Sequence, residues 1–207
     1  RVVELGVPTP TQNKMWFQTY NKLLPDLGEI VFFDRSWYTR ALIQPAMGYC
    51  TEPQYRYFMN KVNDWETQHV EKGLLLIKFY LSVSKRNQAQ RFEFRQHSPL
   101  KYWKLSPNDL KAVKEWDLFT NYKEQVFAKT STDLNPWVVI NSDNKMIARL
   151  NAMRYVLSKF QYPRKEILKD KRWSKEIPVY GIEIDGVKFN NVTKEQYELL
   201  YRLKGST

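Results

Sequence analysis

The sequence predicts an α/β protein in which a parallel sheet is covered by helices on both faces, making three layers. Three observations carry that prediction. Apolar runs at 30–33, 74–83 and 137–140 are largely continuous rather than alternating, as in strands buried on both sides. They alternate with helical segments, the order that builds parallel sheets. The chain has 207 residues, 43% of them hydrophobic and 15% aromatic. A chain of that size buries roughly 70% of its unfolded surface and needs no disulfide or metal staple.

Arg1-Val2-Val3-Glu4-Leu5 reads as a first strand already under way, after which Pro8 and Pro10 break the chain. Thr11 is the expected N-cap of a helix over 12–24, with Met15, Trp16, Tyr20 and Leu23 near helical spacing. Pro25, Asp26 and Gly28 make a turn. The second strand, 30–33, stops abruptly at Asp34-Arg35-Ser36. Residues 53–72 read as a helix, with Pro53 near its first position and Gly73 just past its end. A third strand spans 74–83, a basic helix 84–96, and a loop containing Pro99 follows. Ser106-Pro107-Asn108-Asp109 is a helix start: serine cap, proline at N1, acid at N3. That helix is expected to reach about residue 111, with another over 113–129. The fourth strand is 137–140, and Asp143 is the expected cap of a helix over 144–161.

The composition shifts after Pro163. Residues 164–175 are rich in Lys and Arg and read as a solvated basic linker or helix. Next, 181–189 alternates around Asp185-Gly186, a hairpin pattern. Thr193 is placed to cap a last helix with Gln196 at N3 and Tyr197, Leu200 and Tyr201 on one face. The chain therefore divides into a core over 1–162 and an extension over 163–207.

Composition also narrows function. A formal charge of +11 points to a polyanionic partner. No run approaches ~18 apolar residues, so no membrane span is expected. A single cysteine, Cys50, favours a reducing compartment, and a cytoplasmic location is expected. His69 and His97 lack metal-ligand spacing, Cys50 lacks a catalytic context, and Ser36 lacks a Gly-x-Ser-x-Gly elbow. Gly181 and Gly186 have the separation of a phosphate-cradling loop, but Val187 stands where lysine is required. No zinc-finger, ribonucleoprotein or zipper pattern supports a nucleic-acid role.

Ligands of parallel α/β sheets bind beyond the carboxyl ends of the strands. That rule singles out two segments. In Phe33-Asp34-Arg35-Ser36-Trp37-Tyr38, Asp34 stands where an acid holds Mg²⁺ in phosphoryl-transfer enzymes, and Arg35 is placed to fork onto a phosphate. A second reading of the same residues has Asp34 capping the next helix and pairing with Arg35. The other segment, 85–104, sets Lys85, Arg86, Arg91, Arg95, Lys101 and Lys104 against Glu93 alone. Arg91 and Arg95 share a helix face, as charge stabilisation of a moving phosphoryl group requires. A solvated basic face with packing aromatics accounts for this pattern too. Lys145 and Arg149, one turn apart after the fourth strand, are either ligand contacts or exposed.

Several blocks, in order, resemble the family-2 polyphosphate kinases. Gly28 through Tyr38 is similar to that family's Walker B region, and Met47-Gly48-Tyr49-Cys50-Thr51 to the block after it. Residues 78–84 resemble the strand leading to the lid. Arg91-Phe92, Arg95, Pro99-Leu100-Lys101 and Trp103-Lys104-Leu105-Ser106-Pro107 resemble the lid itself, placed at 85–111. Pro136-Trp137 and Ala148-Arg149-Leu150-Asn151 resemble the last strand and helix. The resemblance implies a P-loop-kinase-like sheet with a helical lid; the small C-terminal hairpin-helix extension read from the residues lies outside it. It implies Mg²⁺-dependent, reversible phosphoryl transfer between inorganic polyphosphate and a nucleoside diphosphate or triphosphate, by a homo-oligomer. Asp34 would hold Mg²⁺, Arg35 and Arg95 would face phosphates, and Arg40, Lys85, Arg91, Lys101 and Lys104 would bind polyphosphate or nucleotide. Thr39 departs from the asparagine common in the diphosphate-preferring subgroup. Family members carry a Walker A loop before the strand represented by residues 1–5, and this sequence begins after it. The chain by itself is accordingly expected to be a weakly active or inactive part of a longer enzyme. The competing readings are a different P-loop kinase of small phosphate acceptors and a non-catalytic module that grips polyphosphate or nucleic acid.

Overall fold

A computed structural model describes residues 1–166, 180–184, 187–192 and 194–204. The chain divides into two compact units, Arg1–Lys159 and Phe160–Thr207.

The first unit runs β1 (Val2–Val3), α1 (Pro10–Lys14), α2 (Trp16–Asn21), β2 (Phe32–Phe33), a 3₁₀ turn (Trp37–Arg40), α3 (Ile43–Met47) and α4 (Glu52–Glu71). It continues with β3 (Lys78–Ser82), α5 (Lys85–His97), a second 3₁₀ turn (Tyr102–Lys104), α6 (Pro107–Lys114), α7 (Trp116–Thr130), β4 (Trp137–Asn141) and α8 (Lys145–Ser158). Parallel pairing is present as predicted, with Val2 opposite Phe32 and Lys78 opposite Trp137. The single sheet is not: among the described residues the strands form two separate parallel pairs, β1–β2 and β3–β4. A sheet covered on both faces would bury its apolar residues, yet Phe32, Leu81 and Val139 stand more than half exposed.

Local chemistry explains the other departures. The helix expected over 12–24 breaks at Met15 into α1 and α2. Its cap is Thr9, not Thr11. Thr9 Oγ1 accepts from the Gln12 amide and the Gln12 side chain returns to the Thr9 amide, while Pro10 starts the helix. The strand at 30–33 shortens to two residues. Asn144 caps α8 by accepting from the amides of Met146 and Ile147. Asp143 is occupied elsewhere, accepting from the Ser84 amide at 2.8 Å. The Ser106 capping box forms as read, and its helix continues to Lys114.

α4 is the spine of this unit. Thr51 and Gln54 form a capping box at its start, and Gly73, at φ +99°, turns the chain out of its end in a conformation that a side chain would disfavour. Thr51→Ala is expected to cost about 1 kcal/mol of stability, read as a lower urea midpoint at unchanged m-value. The aromatic content of the sequence is spent here. Phe17 stacks on Phe58 at 5.5 Å, and Trp37 and Tyr38 meet Trp65 and Trp137 edge-on at 4.9 and 4.6 Å. Tyr20, Tyr55, Met59, Val62 and Val126 complete the core.

In the second unit β5 (Tyr180–Ile184) and β6 (Val187–Val192) pair antiparallel and are followed by α9 (Lys194–Lys204). Tyr197 lies 5.2 Å from Tyr180 and 6.0 Å from Tyr201, forming an aromatic ladder. The Asp185-Gly186 turn, the Thr193 cap and most of the basic stretch at 164–175 lie outside the described residues.

Candidate functional site

The β1–β2 ladder ends at Asp34, whose amide donates to the Val3 carbonyl at 2.9 Å. That bond fixes the backbone and leaves the carboxylate exposed at the carboxyl end of the strand. Arg35 follows at φ +65°, a conformation that costs a residue with a side chain. Its guanidinium donates to Glu4 at 2.8 Å. The capping alternative is therefore not what folds. Ser36 caps the 3₁₀ turn by accepting from the Tyr38 amide, and the partner of Arg35 is Glu4, not Asp34.

A second set of groups gathers around α5. Ser84 caps this helix, and Asp143, from the loop between β4 and α8, accepts from the Ser84 amide. That bond is the main reason the Asp143 carboxyl titrates below its usual range. Arg91 reaches back to the same loop, donating to the Ser142 and Asp143 carbonyls. Arg95 is half-buried over the Phe92 ring and pairs with Asp109 at 3.1 Å. Lys101 lies over Phe94 and Lys104 over Trp103, and both are exposed, as is Lys85. Lys145, at the first position of α8, has its ammonium pKa lowered by partial burial and then by the like charges of Arg91, Arg95, Lys101 and Arg149. Cations from α5, the following loop and α8 thus share one field, which an anion would relieve.

No hydrogen bond or ion pair joins this set to Asp34 or Arg35 among the described residues. Arg40 shares no hydrogen bond or ion pair with either set among the described residues. It is 2% exposed, stacks 4.2 Å over Trp16, donates to Asn13, and lines a cavity of about 350 Å³ with Gln54, Tyr57 and Phe58. Burial lowers its pKa.

An exposed carboxylate at a strand's end fits Mg²⁺, which takes one or two carboxylates and completes its shell with water and substrate phosphates. No group of three His, Cys, Asp or Glu side chains able to cage an ion occurs among the described residues. Among those residues, no helix is long and apolar enough to cross a membrane.

Sequence reasoning missed the buried Glu66–Lys78 pair beneath the 3₁₀ turn, at 2.8 Å. The available signal was a lone lysine inside the apolar run 74–81. Glu4, whose partner Arg35 comes from a distant segment, left no local pattern, and Asp143 left only that of a helix cap.

The chain is similar to proteins already known. The family model for polyphosphate kinase 2 matches residues 1–167. A Corynebacterium glutamicum protein named polyphosphate kinase PPK2B is 47% identical over 167 residues, 80% of this chain and 55% of that protein. A Mycolicibacterium smegmatis protein named GDP-polyphosphate phosphotransferase is 46% identical over 167 residues, 80% of this chain and 59% of that protein. The chain thus spans little more than half the length of these relatives. A crystal structure of polyphosphate kinase 2 from Arthrobacter aurescens superposes with a TM-score of 0.70 at 27% identity, covering 83% of this chain and 65% of that one. The chain belongs to the polyphosphate kinase 2 family.

Proposed function

We propose that this protein transfers a terminal phosphoryl group, reversibly, between inorganic polyphosphate and a nucleotide, converting nucleoside diphosphate to triphosphate. The observation that carries this reading is the field shared by Arg91, Arg95, Lys101, Lys145 and Arg149, in a chain that also presents an exposed Asp34 at a strand end. Polyphosphate is a flexible line of negative charge and asks for such a surface more than for a closed apolar pocket. The name of the Mycolicibacterium relative supports a diphosphate acceptor.

In the forward direction an oxygen of the nucleotide's β-phosphate attacks the terminal phosphorus of polyphosphate. The bond from that phosphorus to the bridging oxygen breaks, and the shortened chain leaves with the electron pair. Catalysis here is positioning and charge neutralisation. Asp34 would hold Mg²⁺, which would neutralise phosphate oxygens when bound. Arg35 and Arg95 would face the transferred group, exchanging Glu4 and Asp109 for phosphate. Arg91, Lys85, Lys101 and Lys104 would line the polyphosphate path, with Lys145 and Arg149 across from them. Arg40, the last residue of the 3₁₀ turn, is stacked on Trp16 and tied to Asn13 where it lines its cavity, and would meet phosphate only there. A cytoplasmic homo-oligomer completes the proposal.

The test is turnover by the purified full-length protein with polyphosphate, Mg²⁺ and ADP or GDP. Nucleoside triphosphate should accumulate as polyphosphate is consumed. Turnover only with ATP and a nucleoside monophosphate would instead make it another P-loop kinase. Polyphosphate binding with no turnover of any kind would make it a binding module.

A further inference from the structure

We propose that the buried Glu66–Lys78 pair is a positioning device for the Asp34-Arg35 segment, a reading that rests on the proposed phosphoryl transfer. Both side chains are 3% exposed or less. The Lys78 ammonium donates to Glu66 Oε2 at 2.8 Å, the Thr130 carbonyl at 2.8 Å and the Tyr38 hydroxyl at 3.2 Å, so all three of its protons are used. Glu66 Oε1 accepts from Trp37 Nε1 at 2.9 Å. The pair therefore grips two consecutive side chains of the 3₁₀ turn that leaves the site.

Stability alone does not explain such a pair. Burying two charges costs about as much as their attraction returns, and apolar residues of equal volume usually serve as well. The Trp37 and Tyr38 rings already pack against Trp65, Phe58 and Trp137. Packing restricts both rings, and the hydrogen bonds to Glu66 and Lys78 add a directional hold on the polar edge of each.

The segment that needs this precision stands just before the turn. Arg35 sits at φ +65°, and a strained residue persists only where its flanks are held. On one flank the Asp34 amide is tied to Val3. On the other are Trp37 and Tyr38, which Glu66 and Lys78 hold, and the Trp37 carbonyl is tied in turn to Trp16 Nε1 at 3.0 Å. Asp34, Arg35 and Ser36 are strung between two fixed points.

The experiment uses the full-length protein and two variants. Glu66→Leu/Lys78→Met removes both charges and leaves neither unpaired, while Trp37→Phe keeps the pair and removes one hydrogen bond to it. Both are expected to fold, with kcat lowered about tenfold to a hundredfold, the scale on which misplacing a reacting group acts. KM for polyphosphate and for nucleotide should stay within about twofold, because transition-state placement rather than binding is lost. Each substitution is then repeated in an Arg35→Gly background, where glycine takes the positive φ without strain. There the further loss should shrink to about threefold or less, since residues that act through one another are not additive. A folded variant with wild-type kcat, or an equal loss in both backgrounds, overturns the proposal. Should the double variant fail to fold, Trp37→Phe decides the matter by the same two comparisons. A wild-type protein without turnover overturns the phosphoryl-transfer reading and this proposal with it, an outcome distinct from active wild type and equally active variants.

Discussion

Asp34→Asn is expected to lower kcat by about a hundredfold to a thousandfold, the range lost when one preorganised charge-stabilising group is removed. Asparagine has nearly the same shape, and the β1–β2 ladder uses the Asp34 amide rather than its side chain, so the strand end should be unchanged. The carboxylate is exposed, so no core contact is lost with it, and the ion pair of Arg35 with Glu4 stays intact. What disappears is the charge. Mg²⁺ is a hard cation that prefers carboxylate oxygen to a neutral amide, so the variant should need more Mg²⁺ for half-maximal rate. Initial rates of triphosphate formation across a Mg²⁺ series measure both effects. Polyphosphate binding should survive, because the cations around α5 are untouched, and that separates an impaired enzyme from a module that never turned over. An unchanged kcat would mean that another carboxylate holds the metal.

The legibility of this site follows the range of the forces that build it. Asp34 and Arg35 can be found because an acid ends an apolar run, a pattern written in adjacent residues. The Ser106 box and the ends of α4 are legible for the same reason, since capping spans three or four residues. β3 and β4 announce themselves by continuous apolar composition. The division into two parallel pairs does not, because which edges meet depends on contacts between distant segments. The break at Met15 is hidden in a pattern that fits one helix as well as two. The resemblance implies a ligand-binding Arg40 but says nothing of its burial, which comes from stacking on Trp16, a residue far back in the chain. Asp143 reads as the cap of α8, and loses that role to its neighbour Asn144 because the Ser84 amide claims its carboxylate.

The single substitution Lys78→Met is expected to destabilise the fold by about 3–5 kcal/mol. Methionine nearly matches lysine in length and fills the same volume, so no cavity opens. The loss is electrostatic. Glu66, 1% exposed on its side chain, keeps the Trp37 N–H and forfeits its ammonium partner, while the Thr130 carbonyl and Tyr38 hydroxyl lose theirs. An isolated buried carboxylate is far costlier than the pair it came from. Adding Glu66→Leu to the same chain removes that carboxylate and should restore most of the lost stability, which no model based on lost packing predicts, since a second core substitution would then add to the first. Urea denaturation of the wild type, the single and the double variant gives the three free energies directly. A double variant as unstable as the single one, or worse, would show that the geometry around Glu66, rather than its charge, is what the lysine protects.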